Sequence, residues 1–237
     1  MKEKMFSDIK YNYETIVRNI SDAAIASGRR PEDITFLAAT KTVDPEFINY
    51  AISLGLKFIG ENKVQELLSK YDAYDLDNAQ LHFIGHLQSN KVRQIVGKVS
   101  MIESVDSLKL AQEISRQSIK QDITTEILIE VNVGREENKS GVMPEYLEEL
   151  LCQIAELPNI SVQGLMAIPP ICENEQKIRG YFQNMRNMFL DISAKKIDNI
   201  KMGTLSMGMS GDYREAILEG SNLVRIGSSL FGARNYN

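Results

Sequence analysis

Lys41 is the residue whose sequence context indicates the most distinctive chemistry. It follows the apolar run Ile34–Ala39, which contains no turn residue and is typical of a buried strand. Asp44 and Pro45 provide an N-cap and a first-turn proline, so a helix is expected to begin at Pro45. A lysine between a buried strand and a helix loses hydration, so its amine can become partly neutral and attack a carbonyl carbon. The alternative is a lysine whose ammonium group extends into solvent from the strand end.

Two segments rich in glycine and serine, near the carboxyl end of the sequence, are typical of phosphate binding. MGMSGD places Ser210 and Gly211 at a helix start, and RIGSS places Gly227 and Ser228 at another. The first turn of a helix has unpaired N–H groups and a positive dipole, both of which favour phosphate. Either serine alone could be only a helix cap, but the occurrence of both segments favours phosphate binding.

Arg225 directly precedes the second of these segments, at the end of the apolar run NLVRIG. Its guanidinium stays protonated and can only donate hydrogen bonds, so it is expected to contact a phosphate or another acceptor on the same ligand. The alternative is an ion pair with a carboxylate such as Glu61. His82 and His86 lie on one strand without clustered further ligands, so no metal site is predicted. His86 is expected to border the pocket and His82 to be structural.

The elements that must position these residues alternate between strand and helix. After a leading amphipathic helix at residues 3–27, eight apolar segments are each followed by helical spacing. Strict alternation implies parallel strands with right-handed crossovers, and eight such units indicate one closed (β/α)8 barrel. Functional residues of that fold lie at the carboxyl ends of the strands, and phosphate binds after strands seven and eight. The predicted strands are 34–39, 57–62, 81–86, 100–105, 125–132, 160–168, 204–209 and 222–227, with a helix at 89–96 after the third.

Composition and charge restrict the class of protein. The 237 residues suit one barrel domain, 1–237, because no linker, repeat or low-complexity segment divides them. A net charge of −5 argues against a general nucleic-acid or anionic-membrane surface. No apolar run approaches the roughly 20 residues of a membrane span. The amino-terminal segment lacks the apolar core of a signal peptide and the two cysteines lack CxxC spacing, so a cytoplasmic protein is expected.

Six motifs in the sequence resemble those of the pyridoxal phosphate homeostasis protein family. They are ATKT, IGEN, HFIGHLQSNK, LMAI, LSMGMSGDYREAI and VRIGSSLFGAR, and together they extend over essentially the whole chain. That family in turn resembles the barrel domain of the bacterial alanine racemases, without their carboxyl-terminal β domain. The resemblance therefore implies a single (β/α)8 TIM barrel with an extra N-terminal helix.

The resemblance also implies roles for seven residues around pyridoxal 5'-phosphate as the cofactor. Lys41 would bear the cofactor as an aldimine, and Arg225 would face its pyridine nitrogen. Asn62 and His86 would border the ring. The residues that would hold the phosphate are Ser210, Gly227 and Ser228.

Three functions are compatible with these residues. The favoured one is a protein that buffers pyridoxal phosphate, or delivers it to pyridoxal-phosphate-dependent apoenzymes, with no catalytic residue and no robust turnover. The first alternative is an amino-acid racemase or another pyridoxal phosphate enzyme. The second is a Schiff-base aldolase that acts on a sugar phosphate without a cofactor. The protein is expected to be a monomer or a weak dimer.

Turnover is expected to be absent or marginal for two reasons. An arginine at the pyridine nitrogen can only donate, which keeps that nitrogen unprotonated and weakens the ring as an electron sink. Alanine racemases also need a second base, a tyrosine supplied through the β domain, whereas this chain ends at Asn237 and has no tyrosine at a predicted strand end. Lys139 is a weaker candidate for transient cofactor binding, the alternative being a solvated loop lysine.

Overall fold

A computed structural model describes residues 2–172 and 174–232 of the chain. Within these residues, eight parallel strands pair in sequence order, and the eighth pairs with the first to close a barrel. A helical segment follows each strand, and one long helix precedes the first, so the predicted (β/α)8 architecture is confirmed. The strands are β1 Thr35–Ala39, β2 Phe58–Glu61, β3 Gln80–Phe83, β4 Met101–Val105, β5 Thr125–Glu130, β6 Ile160–Met166, β7 Ile200–Met209 and β8 Leu223–Ile226.

The α-helices around the barrel range from four residues to 25. They are α1 Lys2–Ala26, α2 Pro45–Ser53, α3 Val64–Lys70, α4 Leu108–Gln121, α5 Leu147–Ala155, α6 Glu175–Lys195, α7 Tyr213–Leu218 and α8 Ser228–Phe231. Short 3-10 helices occupy Pro31–Asp33, Tyr71–Ala73, Ser89–Gln94 and Pro144–Tyr146. None of the helices in the described part of the chain is both long and apolar enough to cross a membrane.

Because side chains alternate along the strands, the apolar core has an outer part, between the sheet and the helices, and an inner part inside the barrel. Outward-facing strand residues pack with the helices into one large cluster. Two small clusters without helix residues fill parts of the barrel interior. Gly60 also faces the interior, because a Cβ at this position would lie 2.7 Å from Leu37 Cδ2. The interior clusters are Leu37, Ile84 and Leu223 on one side and Met101, Leu128 and Met166 on the other.

Two predicted elements differ from those observed. Residues 89–96 were expected to form an α-helix, but a 3-10 helix at Ser89–Gln94 takes their place. Strand β7 begins at Ile200 rather than at residue 204, and Ile200 pairs with Val162 of β6. The first half of β7 carries the exposed residues Lys201 and Gly203, so the sequence there lacks the apolar run that identified the other strands.

Helix α1 covers the side of the barrel where the helices after β7 and β8 are short, and it packs against α2, α7 and α8. Asn12 Nδ2 donates to Leu230 O in α8 at 3.0 Å, and Asn19 Nδ2 donates to Tyr213 Oη in α7 at 3.0 Å. Val17 of this helix is apolar but 43% exposed. The buried residues of α1 are Ile9, Ile16, Ile20, Ala23 and Ala24.

Candidate functional site

The seven predicted site residues all lie at or near the carboxyl ends of strands. Because the strands are parallel, these ends meet at one face of the barrel, which we call the mouth. Their positions follow from the strand bounds: Lys41 after β1, Asn62 after β2, His86 after β3, Ser210 after β7, Arg225 within β8, and Gly227 and Ser228 after β8.

Ser210 connects the ends of β7 and β8 at the mouth. Its Oγ accepts hydrogen bonds from the backbone N–H groups of Gly227 at 3.1 Å and Ser229 at 3.3 Å. Ser229 Oγ donates in turn to Ser210 O at 3.2 Å. Two N–H groups therefore converge on one oxygen position, as in the backbone concavities that bind anions. Ser229 was not predicted, because the adjacent serines of RIGSS do not indicate which N–H points inward, and the Ser228 side chain is exposed.

Gly227 allows the end of β8 to approach the end of β1. Its φ of −117° is accessible to any residue, so backbone strain does not require glycine here. A Cβ at this position, however, would lie 3.0 Å from Ala39 O and 3.3 Å from Ala39 Cβ. The absence of a side chain therefore keeps the Ser210 loop close to the strand end that Lys41 follows.

Arg225 is buried inside the barrel and belongs to a hydrogen-bonded network that crosses the interior. Its Nη2 donates to Ala167 O at 2.9 Å, and its Nη1 donates to Ser206 Oγ. Ser206 Oγ donates to Glu103 Oε2 at 2.6 Å, and Glu103 Oε1 lies 2.7 Å from His82 Nδ1. Arg225 Nη1 is 3.8 Å from Glu103 Oε2. We call His82, Glu103, Ser206 and Arg225 the inner network.

The inner network favours the ionised form of the Glu103 side chain. Burial alone raises the pKa of Glu103, but the hydrogen bond and charge of His82, followed by Arg225 and Ser206, outweigh that effect and leave the pKa below its ordinary value. Glu103 is therefore a carboxylate that faces two cationic or donor groups. His82 is buried in this arrangement, which agrees with the structural role expected of it, and Glu103 is the carboxylate beside Arg225.

Glu61, the partner considered for Arg225 from the sequence, lies on the opposite face of the sheet. Its Oε1 accepts hydrogen bonds from Thr40 Oγ1 at 2.8 Å and Tyr74 Oη at 2.7 Å, and lies 3.1 Å from Lys70 Nζ. Side chains alternate along a strand, so a residue that bonds to the helix layer cannot also reach the barrel interior. Arg225 therefore does lie beside a barrel carboxylate, as the alternative proposed, but that carboxylate is Glu103 and not Glu61.

Asn62 presents a polar atom that the rest of the described chain leaves unpaired. Its Oδ1 is buried and has no hydrogen-bond partner within residues 2–172 and 174–232. The neighbouring loop is held tightly against it, because a Cβ on Gly85 would lie 2.1 Å from Asn62 O. A buried acceptor without a partner is costly, and a ligand that donates a hydrogen bond would offset that cost.

His86 lies at the rim of the mouth, with 60% of its side chain exposed. Its Nδ1 is 3.1 Å from Ser140 Oγ and 4.0 Å from Asp106 Oδ2, so it links the loops after β3, β4 and β5. Glu130, at the end of β5, is buried nearby. Burial and the charge of Asp106 raise the pKa of Glu130 to about 7, against an opposing effect of Arg225.

The loop after β5 carries Lys139, whose Nζ lies 2.5 Å from Glu136 Oε2. Asn132 Nδ2 donates to Glu136 O at 2.8 Å and holds the start of this loop. The side chain of Lys139 is 40% exposed, which agrees with a solvated loop lysine. No group of three or more His, Cys, Asp or Glu side chains in the described residues is arranged to hold a metal ion.

Comparison with known proteins places this barrel in a family. Residues 38–235 match the family described as alanine racemase, N-terminal domain. A pyridoxal phosphate homeostasis protein of Aquifex aeolicus is 47% identical over 222 residues, which cover 93% of this chain and 96% of that protein. The chain belongs to the pyridoxal phosphate homeostasis protein family.

Solved structures show the same barrel at high similarity to this family member. An unknown protein from Bifidobacterium adolescentis is 34% identical, with a TM-score of 0.92 and coverage of 97% of both chains. PipY of Synechococcus elongatus, solved with pyridoxal phosphate bound, is 29% identical with a TM-score of 0.79. It covers 90% of this chain and 100% of its own. The comparisons confirm the family expected from the six sequence motifs.

Most of the inner network of this member of the pyridoxal phosphate homeostasis protein family was not predicted from its sequence. Glu103 was available as a signal, since it is a charged residue in the middle of the apolar strand SMIESV. A buried carboxylate needs a partner, and Arg225 and His82 were the obvious candidates. Ser206 and the Ala167 carbonyl gave no such signal, because a serine or a backbone carbonyl is common in any strand.

Proposed function

We propose that this chain binds pyridoxal 5'-phosphate at the mouth of the barrel and buffers or delivers it, without robust catalytic turnover. The observation that carries this proposal is the convergence of the Gly227 and Ser229 N–H groups on Ser210, beside the strand end that Lys41 follows. An anion site and an amine at one end of a barrel suit a phosphorylated aldehyde. The names of the Aquifex relative and of the PipY structure support the identity of the ligand.

The residues at the mouth fit this cofactor. A phosphate oxygen can replace Ser210 Oγ as the acceptor of the two N–H groups, and the serine hydroxyl can then donate to it. Asn62 Oδ1 is a buried polar atom that has no hydrogen-bond partner among the described residues. We therefore assign cofactor binding to Lys41, Asn62, His86, Ser210, Arg225, Gly227 and Ser228, and we add Ser229.

When bound, pyridoxal phosphate supplies an aldehyde that reacts with amines and a ring that withdraws electrons. We assign Lys41 as the amine that would condense with this aldehyde, in a reaction in which a C–N bond would form and the aldehyde oxygen would leave as water. We assign Arg225 to the pyridine nitrogen, because the inner network fixes a guanidinium that can only donate. A nitrogen that accepts from Arg225 stays unprotonated, which favours storage of the cofactor over chemistry at Cα.

The positions of the tyrosines support weak turnover. In the described residues, no tyrosine lies within the three positions after a strand. Two tyrosine hydroxyls are engaged on the outside of the barrel, Tyr74 with Glu61 and Tyr213 with Asn19. A racemase needs bases on both faces of the substrate, and Lys41 would supply only one of them.

We further propose that residues 1–237 act as one domain, a monomer or weak dimer in the cytoplasm, and that the recipients are pyridoxal-phosphate-dependent apoenzymes. A net charge of −5 supports a role that involves neither nucleic acid nor an anionic membrane surface.

The decisive experiment is borohydride reduction of the protein after incubation with pyridoxal phosphate, followed by peptide mass spectrometry. We expect the pyridoxyl group on Lys41, its loss in Lys41→Ala with the fold retained, and its persistence in the matched control Lys139→Ala. An undiminished adduct in Lys41→Ala, or an adduct confined to another lysine, would refute the assignment.

Two further measurements separate binding from catalysis. Ser210→Ala should weaken cofactor affinity by about 1 to 3 kcal/mol, the usual effect of removing a hydrogen bond to a charged group. Exchange of the Cα hydrogen of alanine with deuterated solvent should be negligible. Racemisation at rates of roughly 1 to 1000 per second, which are typical of enzymes, would favour the racemase alternative.

A further inference from the structure

The outer face of β1 and β2 carries a cluster of polar side chains that faces the helix layer rather than the barrel interior. Glu61 is fully buried, and its Oε1 is the common acceptor for Thr40 Oγ1, Tyr74 Oη and Lys70 Nζ. Lys70 Nζ also lies 2.6 Å from Glu66 Oε1, one turn earlier on α3. We call Thr40, Glu61, Glu66, Lys70 and Tyr74 the outer cluster.

The outer cluster holds the main chain on both sides of Lys41. Lys70 Nζ donates to the carbonyl oxygen of Thr40 at 3.2 Å, directly before Lys41. Glu66 Oε1 accepts from the backbone N–H of Thr42, directly after it. Two side chains of α3, joined to each other by an ion pair, therefore fix the peptide groups that flank the lysine.

The carboxylate of Glu66 is charged under ordinary conditions. Burial raises its pKa, but the hydrogen bond and charge of Lys70, the Thr42 N–H and the charge of Lys63 together leave the pKa below its ordinary value. The Glu66–Lys70 pair is thus an ion pair with side chains only 18% and 12% exposed, in a position where solvent screens it weakly.

Thr42 shows why such support is needed. Its φ of +64° lies in the left-handed region, which a β-branched residue rarely adopts. Such a conformation is strained and persists only where the surrounding structure holds it. The turn at Thr42 redirects the chain from β1 into α2, so its relaxation would reorient the peptide of Lys41.

We propose that Glu66 and Lys70 are positioning residues for Lys41, acting through the main chain from the outer side of the sheet. They hold the turn so that the lysine is presented to the mouth, although both act from the outer side of the sheet. This inference rests on the proposed covalent role of Lys41. It predicts that the formation of the covalent bond depends on two residues that cofactor contacts alone would not identify.

The test uses Glu66→Gln and Lys70→Met, with Glu148→Gln and Lys195→Met as matched controls. The controls break the surface pair between Glu148 and Lys195, whose atoms lie 2.7 Å apart on α5 and α6. The first readout needs no cofactor. Hydrogen exchange of the Thr42 amide in the cofactor-free protein should be at least about tenfold faster in Glu66→Gln than in wild type or in Glu148→Gln.

The second readout separates covalent bonding from binding. The rate of borohydride-trapped adduct formation at Lys41 should fall about tenfold in Glu66→Gln and Lys70→Met, an effect that corresponds to about 1.4 kcal/mol. Affinity for pyridoxine 5'-phosphate, which has no aldehyde, should stay within about twofold of wild type. Lys70→Arg, which keeps the charge, should restore at least about half of the rate.

The possible outcomes of these measurements distinguish failure of the inference from failure of the proposed function. Unchanged amide exchange and adduct rates in both Glu66→Gln and Glu66→Leu, the second of which removes the acceptor oxygens altogether, would overturn the inference while leaving the proposed function intact. An equal loss of pyridoxine 5'-phosphate affinity and adduct rate would show a general structural role and also overturn it. A wild-type protein that binds pyridoxine 5'-phosphate but forms no adduct at Lys41 would refute the covalent role itself, and the inference with it. If Lys70→Met does not fold, Glu66→Gln and Glu66→Leu decide together.

Discussion

Two fully buried glutamates, one on each side of the sheet, are used in different ways. Glu103 faces the interior, and each of its oxygens has its own partner, His82 for Oε1 and Ser206 for Oε2. Glu61 faces the helix layer, where Oε1 receives three donors and Oε2 has no partner among the described residues. The inner carboxylate is fully satisfied and fixes a side chain, Arg225, whereas the outer one is only partly satisfied and helps to fix the main chain around Lys41.

Glu103→Ala should give the largest loss of stability. It leaves His82 and Arg225 buried without their carboxylate, and breaking a buried ion pair on one side costs about 3 to 5 kcal/mol. Urea unfolding of the cofactor-free protein measures this loss. Glu103→Gln, which preserves the shape and one acceptor oxygen, should lose less. A loss below about 1 kcal/mol in Glu103→Ala would contradict the view that the inner network is tightly coupled.

Glu130 provides a further comparison, because it is a buried carboxylate for which the described residues form no such network. Its pKa is raised from 4.5 to about 7, so between these values the folded protein binds more protons than the unfolded chain. Stability should therefore fall as pH rises through this window, by up to about 3 kcal/mol. Glu130→Gln should remove this loss. Urea unfolding at about pH 5 and about pH 8 tests the prediction, and equal pH dependence in wild type and variant would contradict it.

Glu61→Gln should cost less than Glu103→Ala, about 1 to 2 kcal/mol. The amide oxygen can still accept from Thr40 and Tyr74, and Lys70 keeps its pair with Glu66 at 2.6 Å. The free energy of unfolding of the two variants, compared in one buffer, gives the answer. A larger loss for Glu61→Gln would reverse the asymmetry that we infer from the hydrogen-bond partners.

Thr40→Val should have the smallest effect, about 1 kcal/mol. The substitution keeps the shape of the side chain but removes the hydroxyl that lies 2.8 Å from Glu61 Oε1. Thr40→Ser retains the hydroxyl and serves as the matched control in the same unfolding assay. If Thr40→Ser lost stability while Thr40→Val did not, the packing of the methyl group rather than the hydrogen bond would be responsible.

The sequence predicted the barrel well, because apolar strand runs and helix starts alternate regularly and parallel strands leave few alternative topologies. It also predicted that Lys41, Ser210 and Gly227 would lie at one face, since strand ends alone determine that result. The inner network was harder to predict, because it joins residues of β3, β4, β7 and β8 that have no spacing in common. The turn at Thr42 was not predicted either, since nothing local in ATKT favours a left-handed threonine.

The dependence of the barrel on α1 affects how the protein is made. Asn12 in α1 bonds to Leu230 in α8 across 218 positions of sequence, so a ribosome releases α1 long before this partner exists. At about 5 to 20 residues per second, the delay is roughly 10 to 40 seconds. During that time α1, with its apolar residues Ile9, Ile16 and Ile20, lacks the α7 and α8 surfaces against which it later packs. We therefore expect the nascent chain, more than the finished protein, to depend on chaperones that shield apolar helices during translation.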